Sequence, residues 1–177
     1  MDENNDSFLD APLSDQINIM NRWQYTDTEK GWVSFINFRY LTDNKQTGQL
    51  DYNPDIHKKS SIFWGSEIET ERFETSVKLG YVFPEMPYKS FGLQFAYSDH
   101  KQNSYYGLKD YNIKHKSFYA NLIFNSIISD TRNKIVTGLN STFDDFDELV
   151  LNSNYTRNEK SIGAFFEYNY DNLDNLS

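Results

Sequence analysis

From Phe73 to Phe83 the chain alternates in character: Phe73, Thr75, Val77, Leu79, Tyr81 and Phe83 fall at one set of positions, Glu74, Ser76, Lys78 and Gly80 at the other. Successive side chains of a β-strand point to opposite faces, so this segment makes one oily face and one wet face. Phe91, Leu93, Phe95 and Tyr97 repeat the pattern against Gly92, Gln94, Ala96 and Ser98, after a proline-bearing connection over 84–89. The two segments predict a β-hairpin whose apolar face needs a non-aqueous partner.

Composition narrows what that partner can be. The mean hydropathy of -0.74 is low, yet 17% of the 177 residues are aromatic, including 14 Phe and 13 Tyr. Disordered chains are poor in aromatics, so polarity here means two-faced strands and not a lack of structure. No apolar run approaches the ~20 residues of a membrane-spanning helix. The first residues carry no signal-peptide pattern. With no cysteine, disulfides, thiolate metal sites and cysteine nucleophiles drop out together. A net charge of -9, from 17 basic and 26 acidic residues, argues against nucleic acid as the partner.

The alternation recurs in seven segments, expected as strands over 16–25, 32–41, 73–83, 91–98, 117–126, 134–143 and 162–170, with no helix among them. Their connections alternate in length: short over 26–31, 84–89 and 129–133, long over 42–71, 99–116 and 144–161. In an antiparallel meander every second connection lies at the same end, so one end is trimmed and the other elaborated. Tight turns at one end and long loops at the other are the habit of outer-membrane barrels, whose apolar band of about 25 Å suits tilted strands of about ten residues. Trp32, Tyr40, Tyr81, Phe83, Tyr97, Tyr168 and Tyr170 sit at the ends of the stripes, where a half-wet ring belongs. A soluble barrel has the same two-residue period with its apolar face inward. Charged groups at mid-strand on the polar face, with the lopsided connections, favour an outward apolar face. The fold expected is therefore all-β: an antiparallel meander of about seven strands, part of a larger transmembrane β-barrel.

Several stretches resemble the barrel of TonB-dependent outer-membrane receptors, in particular those of the Bacteroidetes lineage. They are Ile17-Asn18-Ile19-Met20-Asn21-Arg22-Trp23-Gln24-Tyr25, Glu29-Lys30-Gly31-Trp32-Val33-Ser34-Phe35, Asn133-Lys134-Ile135-Val136-Thr137-Gly138-Leu139, and the run from Gly163 to Leu173. The resemblance spans about residues 13–177 and implies a piece of a barrel of roughly 22 strands around a plug. It implies residence in the outer membrane, with the lipid bilayer, the plug of the same full-length chain and the inner-membrane TonB energy complex as partners. The cargo it implies is a scarce nutrient of the ferric siderophore, haem or cobalamin class. Residues 1–12 are expected to be an outer loop or disordered, and 174–177 to lie in a periplasmic turn. The rival reading is a self-contained small β-barrel that binds a ligand or acts as a surface adhesin.

Catalysis has little support. Ser98, Asp99 and His100 are neighbours on one strand and point to alternate faces, so they cannot converge on one atom. No cofactor or metal is called for. His100 and His115 flank one expected loop and read as two surface histidines. His57 lies beside the patch Ile62-Phe63-Trp64 in the longest loop, where packing is the simpler role. The acidic run Asp144-Asp145-Phe146-Asp147-Glu148 reads as a solvated loop and does not follow the EF-hand spacing. The functional candidates are the groups expected to face a lumen: Arg39, Glu74, Lys78, Gln94, Asn121, Asn140 and Glu167. Their default role is hydrogen bonding to a plug or to water, with direct ligand contact second.

Overall fold

In a computed structural model, which describes residues 2–171, seven strands form one antiparallel sheet in chain order. They are β1 (Leu13–Asp27), β2 (Trp32–Gly48), β3 (Gly65–Phe83), β4 (Met86–Tyr106), β5 (Lys109–Ile128), β6 (Asp130–Val150) and β7 (Ser153–Tyr170), with one helical turn, α1 (Pro54–His57), between β2 and β3. Each strand pairs only with its chain neighbours, so β1 and β7 are the two edges. Residues 172–177, which include the turn expected over 174–177, lie outside the described residues. No helix among the described residues is long and apolar enough to cross a membrane, which has no bearing on strands.

Register sorts the side chains into rows that cross the sheet. On one face Leu79, Leu93, Leu122 and Leu139 stand directly opposite one another across β3 to β6. Two residues towards the tight turns, Tyr81, Phe91 and Phe124 form an aromatic row. Four residues the other way, Tyr97, Phe118 and Phe143 form a second. A leucine centre bounded by aromatic rows is thus written across strands far apart in sequence.

That apolar face is also the exposed one. Leu139 is 56% and Phe166 68% exposed, whereas Asn121 on the opposite face is 9% exposed. A flat sheet leaves its two faces equally open. Small polar side chains that are covered, opposite bulky apolar ones that are not, mark a sheet curved with its polar face concave. The trough lined by side chains from Met20 on β1 to Tyr119 on β5 requires the same curvature.

The apolar belt climbs as it crosses the sheet. Its outer limit moves from Ile17 on β1 through Tyr40, Phe73, Tyr97 and Phe143 to Ile162 on β7, a register drift of about one residue per strand. One step of ~3.3 Å along for ~4.8 Å across is a tilt of about 35°. At that tilt the stripes Trp32 to Tyr40 and Phe73 to Phe83 cover about 22 to 27 Å of height. The tilt and the height match the values of membrane barrels, about 35–45° and 25 Å.

The connections differ from expectation. At the trimmed end, Pro84 and Glu85 make the β3–β4 turn, and Pro87 falls in a bulge where Phe83 pairs with Met86 but Val82 with Ser90. Proline cannot donate to a ladder, and a bulge removes that demand. The β5–β6 turn repeats the device, with Ile128 opposite Asp130 and Ile127 opposite Lys134. At the other end, two of the three expected long loops are paired strand. The stretch 99–116 is ladder closed by Gly107 and Leu108, and 144–161 is ladder closed by Leu151 and Asn152. The acidic run therefore belongs to β6 and is not a solvated loop: Asp144, Phe146 and Glu148 take one face, Asp145 and Asp147 the other.

Only the β2–β3 connection carries a true insert, residues 49–64. It folds back over the exposed face above the belt, where Tyr52 and Tyr105 are buried with their hydroxyls hydrogen-bonded to each other. Gly65 makes room, since a Cβ there would stand 2.4 Å from the Tyr52 ring. Residues 2–12 dock on this insert through Phe8, whose ring lies 6.0 Å from that of Trp64.

Candidate polar trough on the concave face

The side chains singled out from sequence all lie on the concave face. Lys78, Gln94, Asn121 and Asn140 stand in one register row across β3 to β6. Arg39 and Glu74 are direct partners four residues further from the tight turns, joined at 3.2 Å. Glu167 stands apart, on edge strand β7, accepting from Asn169 Nδ2 at 2.6 Å. Period two put these groups on one side; only the pairing register puts six of them in two rows.

Arg39, Glu74 and Lys78 line a trough of about 540 Å³ with Arg72 and Ser76, whereas Gln94, Asn121 and Asn140 are not among its lining residues. Glu74 anchors one wall and is shared: Arg39 reaches its Oε2 and Arg72 its Oε1 at 2.7 Å. Arg39 also donates from Nε to Asn18 Oδ1 at 3.1 Å. Asn37 donates to Ser76 Oγ at 3.0 Å on the floor between the rows. Four buried side-chain atoms find no partner among the described residues: Arg72 Nε beside Glu74, Asn121 Oδ1 in the Lys78 row and His100 Nδ1 on this face, and Asp99 Oδ1 on the opposite one. A buried, unmatched polar atom costs about 1–3 kcal/mol.

Further out, Arg72, His100, His115, Phe146 and Arg157 form another row on the same face. His115 Nε2 lies 2.9 Å from Asp144 Oδ1, and its ring stacks on Phe146 at 4.1 Å. The Arg157 guanidinium sits 4.0 Å over the same Phe146 ring and pairs with Glu148 and Glu159. His100 and His115 thus face each other as strand partners on the concave wall, not as surface groups on a loop. Ser98 and His100 are on this wall and Asp99 on the opposite face, which separates that triplet. Among the described residues no three metal-ligating side chains come together.

Sequence reading missed Arg72, His100, His115 and Asp144 as wall residues. The signal was parity: Arg72 is two residues from Glu74, His100 two from Ser98, and alternation continues past the end of the apolar stripe. On the outer face, the insert is tied down by Lys58 on Glu67 at 3.1 Å and Lys59 on Asp110 at 2.8 Å. The Glu67 hydrogen bond holds the Lys58 ammonium above its ordinary pKa, against a smaller effect of burial. Within the aromatic patch, Phe63 packs on His57 at 4.7 Å and Trp64 on Phe8 at 6.0 Å, while Ile62 is exposed.

The arrangement sets a polar, charged, concave face against an apolar convex one. No protein family, curated protein or solved structure matches this chain.

Proposed function

We propose that this chain is a section of wall from an outer-membrane β-barrel of the TonB-dependent receptor kind, whose work is the uptake of a scarce nutrient of the ferric siderophore, haem or cobalamin class. One observation carries the membrane reading: the apolar face is the convex one, bounded by aromatic rows and drifting about one residue per strand. A soluble barrel needs the opposite curvature, with grease inside and charge outside. In the rival reading of a small closed barrel, β1 and β7 pair with each other, and among the described residues they do not. The transport part of the reading rests on the sequence resemblance and on the polar concave wall, which suits a lumen that holds a plug and guides a solute.

The test is fluorescence of the whole protein in vesicles containing brominated phosphatidylcholine. Trp23 and Trp32 lie on the convex face within the belt, and Trp64 lies in the insert above it. Bromine should quench a variant keeping only Trp32 and spare one keeping only Trp64. Equal quenching of both, or none, overturns the membrane reading. Loss of growth on a limiting iron or cobalamin source after deletion of the gene, restored by the intact gene, tests the uptake reading.

A further inference from the structure

The concave wall is electrically lopsided, against the composition of the chain. The protein carries a net charge of -9. Yet on the concave face the belt-level part of β1 to β3 presents Arg22, Arg39, Arg72 and Lys78 against Glu74 alone. Further out, Asp43 and Lys45 neutralise each other at 2.9 Å. The same face of β6 and β7 is acidic, with Asp144, Glu148, Glu159 and Glu167 against Lys134 and Arg157. Between them β4 and β5 contribute the histidines and neutral groups.

Glu74 cannot neutralise the basic side. Its two oxygens are taken by Arg39 and Arg72, leaving a surplus of charge on that pair. Arg72 keeps a buried Nε–H with nothing to donate to. Lys78 is exposed in the trough and has no side-chain partner among the described residues. Among the described residues Arg22 is engaged only by the face of Phe35, at 4.7 Å. Cations held this close in a concavity, where field lines concentrate, attract and orient anions. Planar guanidinium donors fit a carboxylate better than they fit a chloride ion.

We propose that the trough between Arg39, Arg72 and Lys78 is a carboxylate-binding site. The carboxylate comes either from an anionic solute in transit or from acidic side chains of the segment that fills the lumen. The site depends on the barrel reading only in that the concave face is called a lumen. Lys78 is the decisive residue because it supports nothing within the wall, so any effect of removing it reports a partner from outside.

The experiment titrates citrate into the whole protein in detergent by calorimetry and records thermal midpoints at low and high salt. Wild type is compared with Lys78→Gln, with Arg39→Gln combined with Lys78→Gln, and with Lys134→Gln from the acidic side. A solute site predicts citrate binding that weakens with salt and falls about tenfold for each cation removed, the Lys134 variant being unaffected. A site filled by the protein's own carboxylates predicts no citrate binding but a lower midpoint for Lys78→Gln at low salt, a difference that fades at high salt. Absence of both effects, or an equal effect of Lys134→Gln, overturns the proposal. The bromine quenching of Trp32 on the same preparations reports separately on the barrel reading, so the two can fail independently.

Discussion

Leu79→Arg tests which face meets lipid, and the structure sets its size. Leu79 lies near the middle of the β3 stripe, in register with Leu93, Leu122 and Leu139, and is 37% exposed on the convex face. An arginine on the lipid face at the bilayer midplane of a barrel costs about 2–4 kcal/mol. Partial cover by neighbours gives the longer side chain some packing for its stem, which puts the expected cost at about 2–3 kcal/mol. Leu139, 56% exposed at the middle of its own stripe, should reach the upper end on the same substitution, about 3–4 kcal/mol. The control is the next residue. Gly80 faces the concave side, where a Cβ meets nothing nearer than 3.7 Å, so an arginine side chain can start there without a clash. It should cost less than about 1 kcal/mol, since removing a strand glycine offsets part of any strain. The assay is reversible urea unfolding of the whole protein folded into phosphatidylcholine bilayers. If Gly80→Arg costs more than Leu79→Arg, the inside and outside of this sheet have been exchanged and the membrane reading goes with them.

Three further expectations follow from local geometry. Gly138→Ala forces a Cβ to within 2.3 Å of the Leu122 carbonyl and 2.6 Å of the Phe165 ring, so it should lower stability by about 1–3 kcal/mol in the same urea assay. Gly65→Ala drives a Cβ into the Tyr52 ring, and because the insert packs separately from the belt, it should expose 49–64 to proteolysis while leaving the urea midpoint unchanged. Lys58 has a folded pKa raised by Glu67, so its contribution is complete below the ordinary lysine value and is lost as pH rises through the raised one. Trp64 emission should therefore shift to the red above about pH 10.4, and the shift should vanish in Lys58→Met.

The seven strands and their two faces were legible because a buried or lipid-facing stripe opposite a wet one leaves a period-two pattern. The outer halves of the strands were not, because there both faces are polar and the pattern disappears while the backbone pairing continues. On the convex face above the belt, Lys116 stands between Asp99 and Asp145, and Lys114 opposite Asp147. Such cross-strand pairs favour the ladder, but in one dimension they read as a charged loop. Parity alone was enough to group the candidate residues on one face. Their grouping into a Lys78 row and a Glu74 row was hidden, because register is a long-range property. It is set by the bulges beside Pro87 and at 131–133, and no local pattern counts those extra residues.

The edges of the sheet constrain what surrounds it if the belt lies in a bilayer. On β1 the belt portion runs from Ile17 to Tyr25, and its outer backbone groups have no strand partner among the described residues; β7 leaves a similar edge from Ile162 to Tyr170. Alternate residues of an edge strand point both N–H and C=O outward, so each edge leaves about nine groups unpaired in hydrocarbon. Even at about 1–3 kcal/mol each, two edges amount to tens of kcal/mol, above the ~5–15 kcal/mol by which whole domains are stable. Side chains cannot make up that deficit, since none of the belt residues on β1 or β7 turns back to cap its own strand. In lipid both edges must therefore be covered by further strands, and at a tilt of about 35° those strands have to continue the same drift of one residue each for the belt to stay level. That drift is a requirement on whatever chain lies beside β1 and β7: its own apolar stripe must start about one residue further along, and a neighbour out of step by two would carry charge into the leucine layer.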